Sequence, residues 1–324
     1  MTCDLIGVGS PLVDLLQTVD EDFIANHAGG GKGGMQMVEA PAIADLVAWA
    51  GREPVRAPGG AAANTTVGTA NLGIRAAFLG CCGADDLAAF YRERLTAQGC
   101  EDRLIAVDAP TGRVLSLITP DAQRTMRTCL GAAMSLAPDH VGPAAFAGAR
   151  VAMIEGYLLF NHDLARAAIR GAKAAGCAVA LDFASFEVVK ANRAVIEELL
   201  PSVDILFANE DEAAAWGGGT PEQALEDLGR RVGIVAVKLG KDGAWIRRGS
   251  ETVRVQAEPV QAVDTTGAGD CWAAGFLAAW LRGLDLTRCG RVAALSGAAA
   301  VQTIGAQPPR EDWVRIKGYL DAWT

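Results

Sequence analysis

Short apolar runs alternate along this chain with longer segments of helical periodicity. The apolar runs lie at residues 5–8, 76–79, 151–154, 178–181, 205–207 and 234–237. The helical segments lie at residues 61–72, 85–98, 163–175, 187–199, 221–230, 268–282 and 291–302. Strands that are apolar throughout and separated by helices are typical of a parallel sheet covered on both faces. The sequence therefore predicts a three-layer α/β fold with a mostly parallel central sheet.

Two segments interrupt this alternation. Residues 15–55 contain a glycine-rich run at 29–34, followed by alternating apolar positions at 35–38. Residues 113–129 read as strand, turn and strand, because Pro-Asp favours a turn between two alternating runs. No Ser/Pro-rich linker divides the chain, so we expect one domain over residues 1–324 with a small β lid built from segments 15–55 and 113–129. Taken alone, residues 29–34 are equally compatible with a flexible loop.

Glycine makes up 38 of the 324 residues, and one group of glycines opens a helix. The string at 263–270 follows a strand-like region at 253–263 and begins the helix 268–282. Small residues at Gly267, Ala268 and Gly269 leave backbone N–H groups uncovered, and at a helix N-terminus these groups form an anion site. Asp270 falls in the first turn beside that site. A carboxylate there would repel phosphate but could accept a proton from an attacking hydroxyl group. An ordinary capped helix start is the alternative, although Gly-Ala-Gly exceeds what a cap needs.

A second glycine cluster, at residues 58–64, precedes the helix 61–72. Gly60 again leaves the backbone bare, and Asn64 falls one turn inside the helix, where its amide could reach a hydroxylated ligand. Asp14 follows the first strand at the carboxyl edge of the predicted sheet, which is where parallel α/β sheets bind ligands. Asp14 could accept hydrogen bonds from two vicinal hydroxyl groups. Without the glycine clusters, it would be interpreted as an ordinary loop aspartate.

Several classes of protein are excluded or disfavoured. The glycines at 7 and 9 lack the third glycine of a dinucleotide-binding fingerprint, and no P-loop string exists. A net charge of −9 without a basic run argues against a nucleic-acid-binding protein. The longest apolar run is too short for a membrane helix, and the first residues do not resemble a signal peptide. Eight cysteines without CxxC spacing and three scattered histidines favour a reduced, cytoplasmic chain without structural zinc.

Taken in order along nearly the whole chain, these motifs resemble the ribokinase-like (PfkB) family of sugar and nucleoside kinases. Residues 59–64 resemble the N-terminal motif of the family, and residues 264–270 match its C-terminal motif without departure. Residues 209–212 resemble the family's NxxE motif, and Lys238 to Gly240 resembles the stretch beside the nucleotide. Two motifs in register about 200 residues apart make a chance match improbable.

The resemblance implies a role for each motif in transfer from ATP. Asp270 would be the general base, and the N–H groups of residues 267–269 would hold the γ-phosphoryl group. Asn209 and Glu212 would organise Mg²⁺ through water, with Asn209 also near the phosphates. Lys238, Gly240 and Thr266 would lie beside the nucleotide. Many members bind a monovalent cation such as K⁺ nearby, and here Asp264, with Thr266 and the backbone near Gly305, would hold it.

The acceptor is less well defined by the sequence than the reaction. Asp14, Gly60 and Asn64 would hold the acceptor's hydroxyl groups, and Glu155 could bind a further one. The strand at 123–132 resembles the lid strand of adenosine-kinase-like members, in which an arginine at the position of Arg124 approaches the transferred group; a planar cation suits that role. Few aromatic residues are available to stack on a purine, with Tyr157 and Phe160 as candidates.

The sequence therefore predicts an ATP- and Mg²⁺-dependent kinase acting on a nucleoside such as adenosine or on a free sugar. A hexose or fructose kinase on the same scaffold is the main alternative, and a non-catalytic nucleotide-binding regulator is a second. No nucleic-acid or membrane partner is expected. A strand edge within residues 113–129 would be compatible with a homodimer.

Overall fold

We describe the fold from a computed structural model of the chain, in which residues 3–29, 31–121 and 123–323 are described. Gly30 and Ala122, which belong to the two predicted lid segments, lie outside these residues. The strands are β1 Leu5–Val8, β2 Leu12–Thr18, β3 Met35–Met37, β4 Val55–Gly59, β5 Ala76–Leu79, β6 Cys81–Cys82, β7 Glu101–Asp102, β8 Ile105–Ala106, β9 Gly112–Ile118, β10 Arg124–Cys129, β11 Val151–Glu155, β12 Ala178–Asp182, β13 Ile205–Asn209, β14 Ile234–Lys238, β15 Ala244–Arg248 and β16 Glu251–Val255. The α-helices are α1 Glu21–Phe23, α2 Ala40–Ala50, α3 Ala61–Asn71, α4 Asp86–Ala97, α5 His162–Ala174, α6 Phe186–Ala191, α7 Arg193–Leu199, α8 Glu210–Gly217, α9 Pro221–Leu228, α10 Ala268–Leu281, α11 Leu286–Ala300 and α12 Arg310–Asp321.

A sheet of nine strands forms the centre of the molecule, in the order β16-β15-β14-β13-β12-β11-β1-β5-β7. The strands from β7 to β14 run parallel, and β15 and β16 pair antiparallel at one edge. All four residues of β1 are buried, because helices cover both faces. The predicted three-layer, mostly parallel α/β fold is confirmed.

Alternate residues of the strands enter two separate hydrophobic cores. Ile6 and Val8 pack with residues from α5 to α9 on one face. Leu5 packs with α10, α11 and α12 on the other face. Side chains of a strand alternate between its two faces, so a strand between two helical layers must be apolar at every position.

A second sheet has five strands in the order β3-β10-β9-β2-β4. Its hairpin of β9 and β10 pairs antiparallel, from Arg124 opposite Ile118 to Cys129 opposite Arg113. Its inner face packs on α2 and α4 in a third core. The segments predicted to form a lid contribute all or part of every strand of this sheet, and its action as a lid remains a prediction.

The sequence predicted a free strand edge within residues 113–129, and this prediction is wrong. β9 pairs with β2 and β10, and β10 pairs with β9 and, through Met126 to Thr128, with β3. The alternating residues at 35–37 form β3 and cover β10. The edges of the second sheet are therefore β3 and β4.

Other boundaries also differ from the predictions. The strand-like region at 253–263 is a strand only as far as Val255, and residues 256–267 are irregular. The helical segment 187–199 forms two helices, because buried Asn192 caps the end of α6 with its backbone N–H and precedes α7. The helix predicted at 291–302 begins earlier, at Leu286, where the side chain of Asp285 accepts a hydrogen bond from the N–H of Arg288.

Two further findings concern the cysteines and the length and character of the helices. All eight cysteines are buried and free. Among the residues described, no helix combines the length and the apolar character needed to cross a membrane.

Candidate active site

The irregular segment before α10 ends in a turn that only glycine can form. Gly267 has φ of 71°, and a Cβ atom there would lie 2.5 Å from the carbonyl oxygen of Ala306. The first amides of a helix have no partner within it. Among the described residues, the N–H groups of Gly267 and Gly269 form no hydrogen bond. The N–H of Ala268, expected to be free, donates to the carbonyl of Thr265 at 3.3 Å. The turn thus offers two free N–H groups.

Asp270 lies in the first turn of α10 and is half-buried. The side-chain amide of Asn64 donates to its Oδ2 at 2.9 Å, and Thr65 donates to its backbone carbonyl at 3.2 Å. Burial, together with the charges of Asp182 and Glu155, raises the pKa of Asp270 to about 7, against the opposing effects of Asn64 and Lys238. A carboxyl group with this pKa can accept a proton near neutral pH.

Asn64 is positioned by α3 and by a distant glutamine. The helix begins at Gly60, whose φ of 102° brings the position of a Cβ atom within 2.2 Å of the carbonyl of Ser10. Gln307 donates from Nε2 to the backbone carbonyl of Asn64 at 3.0 Å and to its Oδ1 at 3.3 Å. The amide of Asn64 is therefore held from both ends, with its NH₂ group directed to Asp270.

Asp14 lies on β2, facing the start of α3. A Cβ atom on Gly59 would lie 2.7 Å from its Oδ2. Burial raises the pKa of Asp14 to about 6, and the charge of Arg124 opposes this. The structure therefore places Asp14 beside Gly59, on a strand of the second sheet and not in a loop that follows β1 as the sequence predicted.

Glu155, at the end of β11, is engaged with the backbone. Its carboxylate accepts the N–H of Ala62 at 3.1 Å and the N–H of Ser10 at 3.3 Å. Burial raises the pKa of Glu155 to about 7. These contacts join the ends of β1 and β11 to the start of α3. Tyr157 and Phe160, which follow Glu155, are about half exposed.

Asn209 and Glu212 form a reciprocal cap at the start of α8. The carboxylate of Glu212 accepts the backbone N–H and the side-chain amide of Asn209, each at 2.8 Å, and Asn209 accepts the N–H of Glu212 at 2.8 Å. Burial and the neighbouring charge of Asp182 raise the pKa of Glu212 to about 7, and Lys238 opposes them.

Lys238 carries the positive charge of this buried cluster. Its ammonium group lies 3.0 Å from Oδ2 of Asp182, and a Cβ atom on Gly269 would lie 3.1 Å from it. Burial opposes the charge, but Asp182 and Glu212 outweigh burial and raise the pKa of Lys238. An ammonium ion therefore lies directly beside the free N–H groups of the turn.

Arg124 joins the second sheet to the turn before α10. Its guanidinium group donates to Oδ2 of Asp264 at 2.7 Å and to the hydroxyl of Thr266 at 3.1 Å. Asp264 also accepts hydrogen bonds from the N–H of Gly305 at 2.8 Å and from the N–H and hydroxyl of Thr266. Burial opposes the charge of Asp264, but the hydrogen bonds of Gly305 and Thr266 and the charge of Arg124 lower its pKa.

A cavity of about 630 Å³ opens beside the cluster and continues along α10 and α11. Asn209, Lys238 and Gly240 line it, and Trp272 adds an apolar wall. Thr266 does not line this cavity, whereas its neighbour Thr265 does. A cavity of this size and mixed character can accommodate a nucleotide.

The sequence interpretation missed two residues of this site. Asp182, which pairs with Lys238, is the last residue of β12, and its position at the carboxyl edge of a predicted strand was the available signal. Gln307 lies 243 residues from Asn64, and no local pattern predicts that contact.

Known proteins match most of the chain. The model of the family described as pfkB family carbohydrate kinase matches residues 37–313. A nucleoside kinase from Methanothermobacter thermautotrophicus is 30% identical over 254 residues, which cover 77% of this chain and 80% of that protein. An ATP-dependent ribose-1-phosphate kinase from Halopiger xanaduensis is 32% identical over 252 residues, which cover 77% and 82%.

A solved structure is similar over almost the full length. The crystal structure of adenosine kinase from Sinorhizobium meliloti superposes with a TM-score of 0.87 at 34% identity. The match covers 98% of this chain and 100% of that one, so both sheets have counterparts in a single known fold.

Proposed function

The chain belongs to the pfkB family of carbohydrate kinases, and we propose that it transfers the γ-phosphoryl group of ATP to a hydroxyl group of a small ribose-containing acceptor, either a nucleoside such as adenosine or a free sugar. Asp270 acts as the general base. The observation that carries the proposal is the position of its carboxyl group, beside the free N–H groups of the turn at Gly267 and within hydrogen-bonding distance of Asn64.

Asp270 acts on the acceptor hydroxyl group, and the turn acts on the transferred phosphoryl group. The carboxylate takes the proton of the acceptor hydroxyl as its oxygen attacks phosphorus. The N–H groups of Gly267 and Gly269, with the N-terminus of α10 and the ammonium of Lys238, stabilise the negative charge on the transferred phosphoryl group. Arg124 adds a planar cation. Its guanidinium group can leave Asp264 and bind phosphoryl oxygens instead.

The nucleotide occupies the cavity lined by Asn209, Lys238 and Gly240. Its phosphates point to the turn before α10, because that end of the cavity holds Lys238 and Gly269. Thr266 contacts Asp264 and Arg124 and lies outside the cavity lining, so its part in nucleotide binding is indirect.

The acceptor lies between the two sheets, near Asp14, Gly60 and Asn64. The buried carboxylate of Asp14 accepts hydrogen bonds from vicinal hydroxyl groups, and Gly60 lets the acceptor approach the backbone. The names of the related proteins, a nucleoside kinase and a ribose-1-phosphate kinase, favour an acceptor that contains ribose. The carboxylate of Glu155 is already shared by two backbone amides, so any contact it makes with the acceptor is secondary.

The residues near the phosphates fit a magnesium ion held through water. Glu212, Asp182 and Asn209 would accept hydrogen bonds from the water molecules that Mg²⁺ retains. The described residues contain no group of three acidic, histidine or cysteine side chains arranged to hold a metal directly. Mg²⁺ bound there would neutralise charge on the ATP phosphates. A monovalent cation at Asp264 would have to displace Arg124, since each oxygen of that carboxylate already accepts two hydrogen bonds.

The test is an assay with Mg-ATP and a panel of adenosine, other nucleosides, ribose, ribose phosphates, fructose and inositol. Phosphorylation of ribose-containing compounds is expected, and activity on hexoses alone would overturn the acceptor proposal. Asp270→Asn should bind ATP but lose transfer by a factor of about 10³. Asp139→Asn, an exposed aspartate, serves as the matched control and should retain full activity. Normal turnover by Asp270→Asn would overturn the assignment of the base.

A further inference from the structure

A second cavity, of about 320 Å³, lies between β4, α4 and the segment that precedes α12. Asp14, Arg124 and Asp270 do not line it. It adjoins the proposed acceptor site at Gly59 and Asn64, which form part of its wall together with Gln307. It shares no lining residue with the nucleotide cavity, so it is a separate cavity beside the proposed acceptor site.

Three arginines from different elements line this cavity: Arg56 from β4, Arg94 from α4 and Arg310 from the start of α12. No Asp or Glu lines it. Most basic side chains of this acidic chain form ion pairs. Within the described residues, none of these three guanidinium groups forms an ion pair or a hydrogen bond, although that of Arg94 contacts the ring of Phe90. The three positive charges raise the electrostatic potential of this cavity, which favours an anion there.

Two further features suit a ligand that has an anionic group and a hydroxyl group. The N–H groups of Arg310 and Glu311 open α12 without an acceptor among the described residues, and no side chain caps this helix. Oε1 of Gln307 is buried without a hydrogen-bond donor, so a hydroxyl group of a bound molecule could serve it. Val67, Leu95 and Pro308 provide an apolar wall for the remainder of the molecule.

We propose that this cavity binds a small phosphorylated molecule, whose phosphate group lies between Arg56, Arg94 and Arg310. Guanidinium groups bind phosphate oxygens in pairs, which explains why three arginines converge here without carboxylates. The cavity volume suits a phosphorylated sugar rather than a macromolecule. The bound molecule would contact Gln307, the residue that holds Asn64 against Asp270.

The test measures binding of inorganic phosphate by isothermal titration calorimetry, with Mg²⁺ and a non-hydrolysable ATP analogue at saturation. The analogue occupies the phosphate site at α10, so phosphate that still binds must bind elsewhere. We expect one site per chain in the wild type, weakened at least tenfold in the double variant Arg94→Gln/Arg310→Gln. The matched control, Arg150→Gln/Arg170→Gln, removes two exposed arginines that lie outside the cavity and should bind phosphate like the wild type.

Each other outcome overturns the proposal. Absence of phosphate binding with the analogue present would mean that the anion hole of α10 is the phosphate site. Equal weakening in both double variants would mean that net charge, rather than the cavity, attracts phosphate. Circular dichroism and thermal unfolding of both variants establish that they are folded, which is expected because the four arginines are exposed. Ribose 5-phosphate, titrated in the same way, tests whether a sugar body adds affinity.

Discussion

Gln307 acts on the proposed base through Asn64. An ionised carboxylate can only accept hydrogen bonds, so Asn64 supports Asp270 only when its NH₂ group faces it. Gln307 enforces that orientation by donating to the oxygen at the other end of the Asn64 amide. We therefore regard Gln307 as a positioning residue.

Gln307→Ala should shift the pH dependence of transfer. Without the donor at its oxygen, the Asn64 amide is free to rotate, and Asp270 loses a hydrogen bond that lowers its pKa. The pKa of Asp270 then rises above about 7, so the acid limb of kcat/KM moves to higher pH, by up to about one unit. A pH profile from 5 to 9 measures this shift, which a purely structural loss would not produce.

Gln302→Ala is the control for this variant. Gln302 follows the end of α11, is exposed, and donates to the carbonyl of Ala298 without a hydrogen bond to Asn64 or Asp270. Its pH profile should match that of the wild type. If Gln307→Ala lowers activity equally at every pH, Gln307 supports the fold and does not orient Asn64.

The burial that raises the pKa of Asp270 also reduces the stability of the fold. The pKa of Asp270 is about 7 in the folded protein, against 3.8 for a fully hydrated aspartate, so ionisation is unfavourable in the folded state. The corresponding stability is present in full below about pH 4 and is lost as the pH rises through 7. Asp270→Asn cannot ionise and avoids this loss. We expect its Tm to exceed that of the wild type by a few degrees at pH 8, with a smaller difference at pH 5.

Asp139→Asn provides the comparison, because this exposed carboxylate should not alter the dependence of Tm on pH. A Tm of Asp270→Asn below that of the wild type at pH 8 would contradict the argument. It would mean that ionised Asp270 is compensated by its neighbours, foremost Lys238.

At the scale of elements, the sequence predicted the elements that have uniform patterns. The strands of the central sheet are apolar throughout, so runs such as 151–154 and 234–237 were correct to within a residue. α2, α8 and α12 were missed: α2 lies in the segment assigned to the lid, and the helix signals of α8 (acidic residues in its first turn) and α12 (apolar Trp313, Ile316 and Leu320 on one face) were not used.

The site residues that the sequence predicted also belong to local patterns. Gly60, Gly267 and Asp270 belong to contiguous motifs, in which local geometry explains each residue type. Asp182 and Gln307 act through partners that lie 56 and 243 residues away along the chain. Such contacts depend on the tertiary fold, which a single sequence does not display.

The two helices that carry Asn64 and Asp270 approach each other at Gly68. A Cβ atom on this residue of α3 would lie 2.7 Å from Cβ of Ala274 on α10 and 2.9 Å from the ring of Trp313. Gly68→Ala should gain about 1 kcal/mol of helix propensity but lose about 1–3 kcal/mol through overpacking. We expect a lower Tm, and a lower kcat because the separation of α3 and α10 lengthens the contact from Asn64 to Asp270.

Gly318→Ala is the matched control on a neighbouring helix. Gly318 lies inside α12, and no atom would lie within 4 Å of its added Cβ. This variant should gain the helix propensity without the clash, so its Tm should equal or exceed that of the wild type. If both variants raise the Tm, the close approach of α3 and α10 tolerates a methyl group and the argument fails.

At the scale of the molecule, one ion pair among the described residues connects the second sheet to the segment before α10. Arg124 begins β10, and Asp264 lies in the segment that leads to the anion hole. The pair is largely buried, so it is worth more than a surface ion pair and constrains the position of the sheet over the site. We propose that closure of this sheet over bound substrates excludes water, and that Arg124 then moves from Asp264 to the phosphoryl group.

Arg124→Ala should therefore lower transfer to the acceptor and raise the share of ATP that is hydrolysed. Transfer to the acceptor should fall by ~100-fold, because one cation that stabilises the transferred group is lost. Hydrolysis of ATP by water, as a fraction of ATP consumed, should rise because the sheet no longer closes tightly. Parallel assays of phosphorylated acceptor and released phosphate measure both rates. Lys32→Ala removes a lysine of similar exposure beside the same sheet, paired with Glu21 and Asp121, and should change neither. Equal behaviour of the two variants would show that Arg124 neither closes the sheet nor contacts the phosphoryl group.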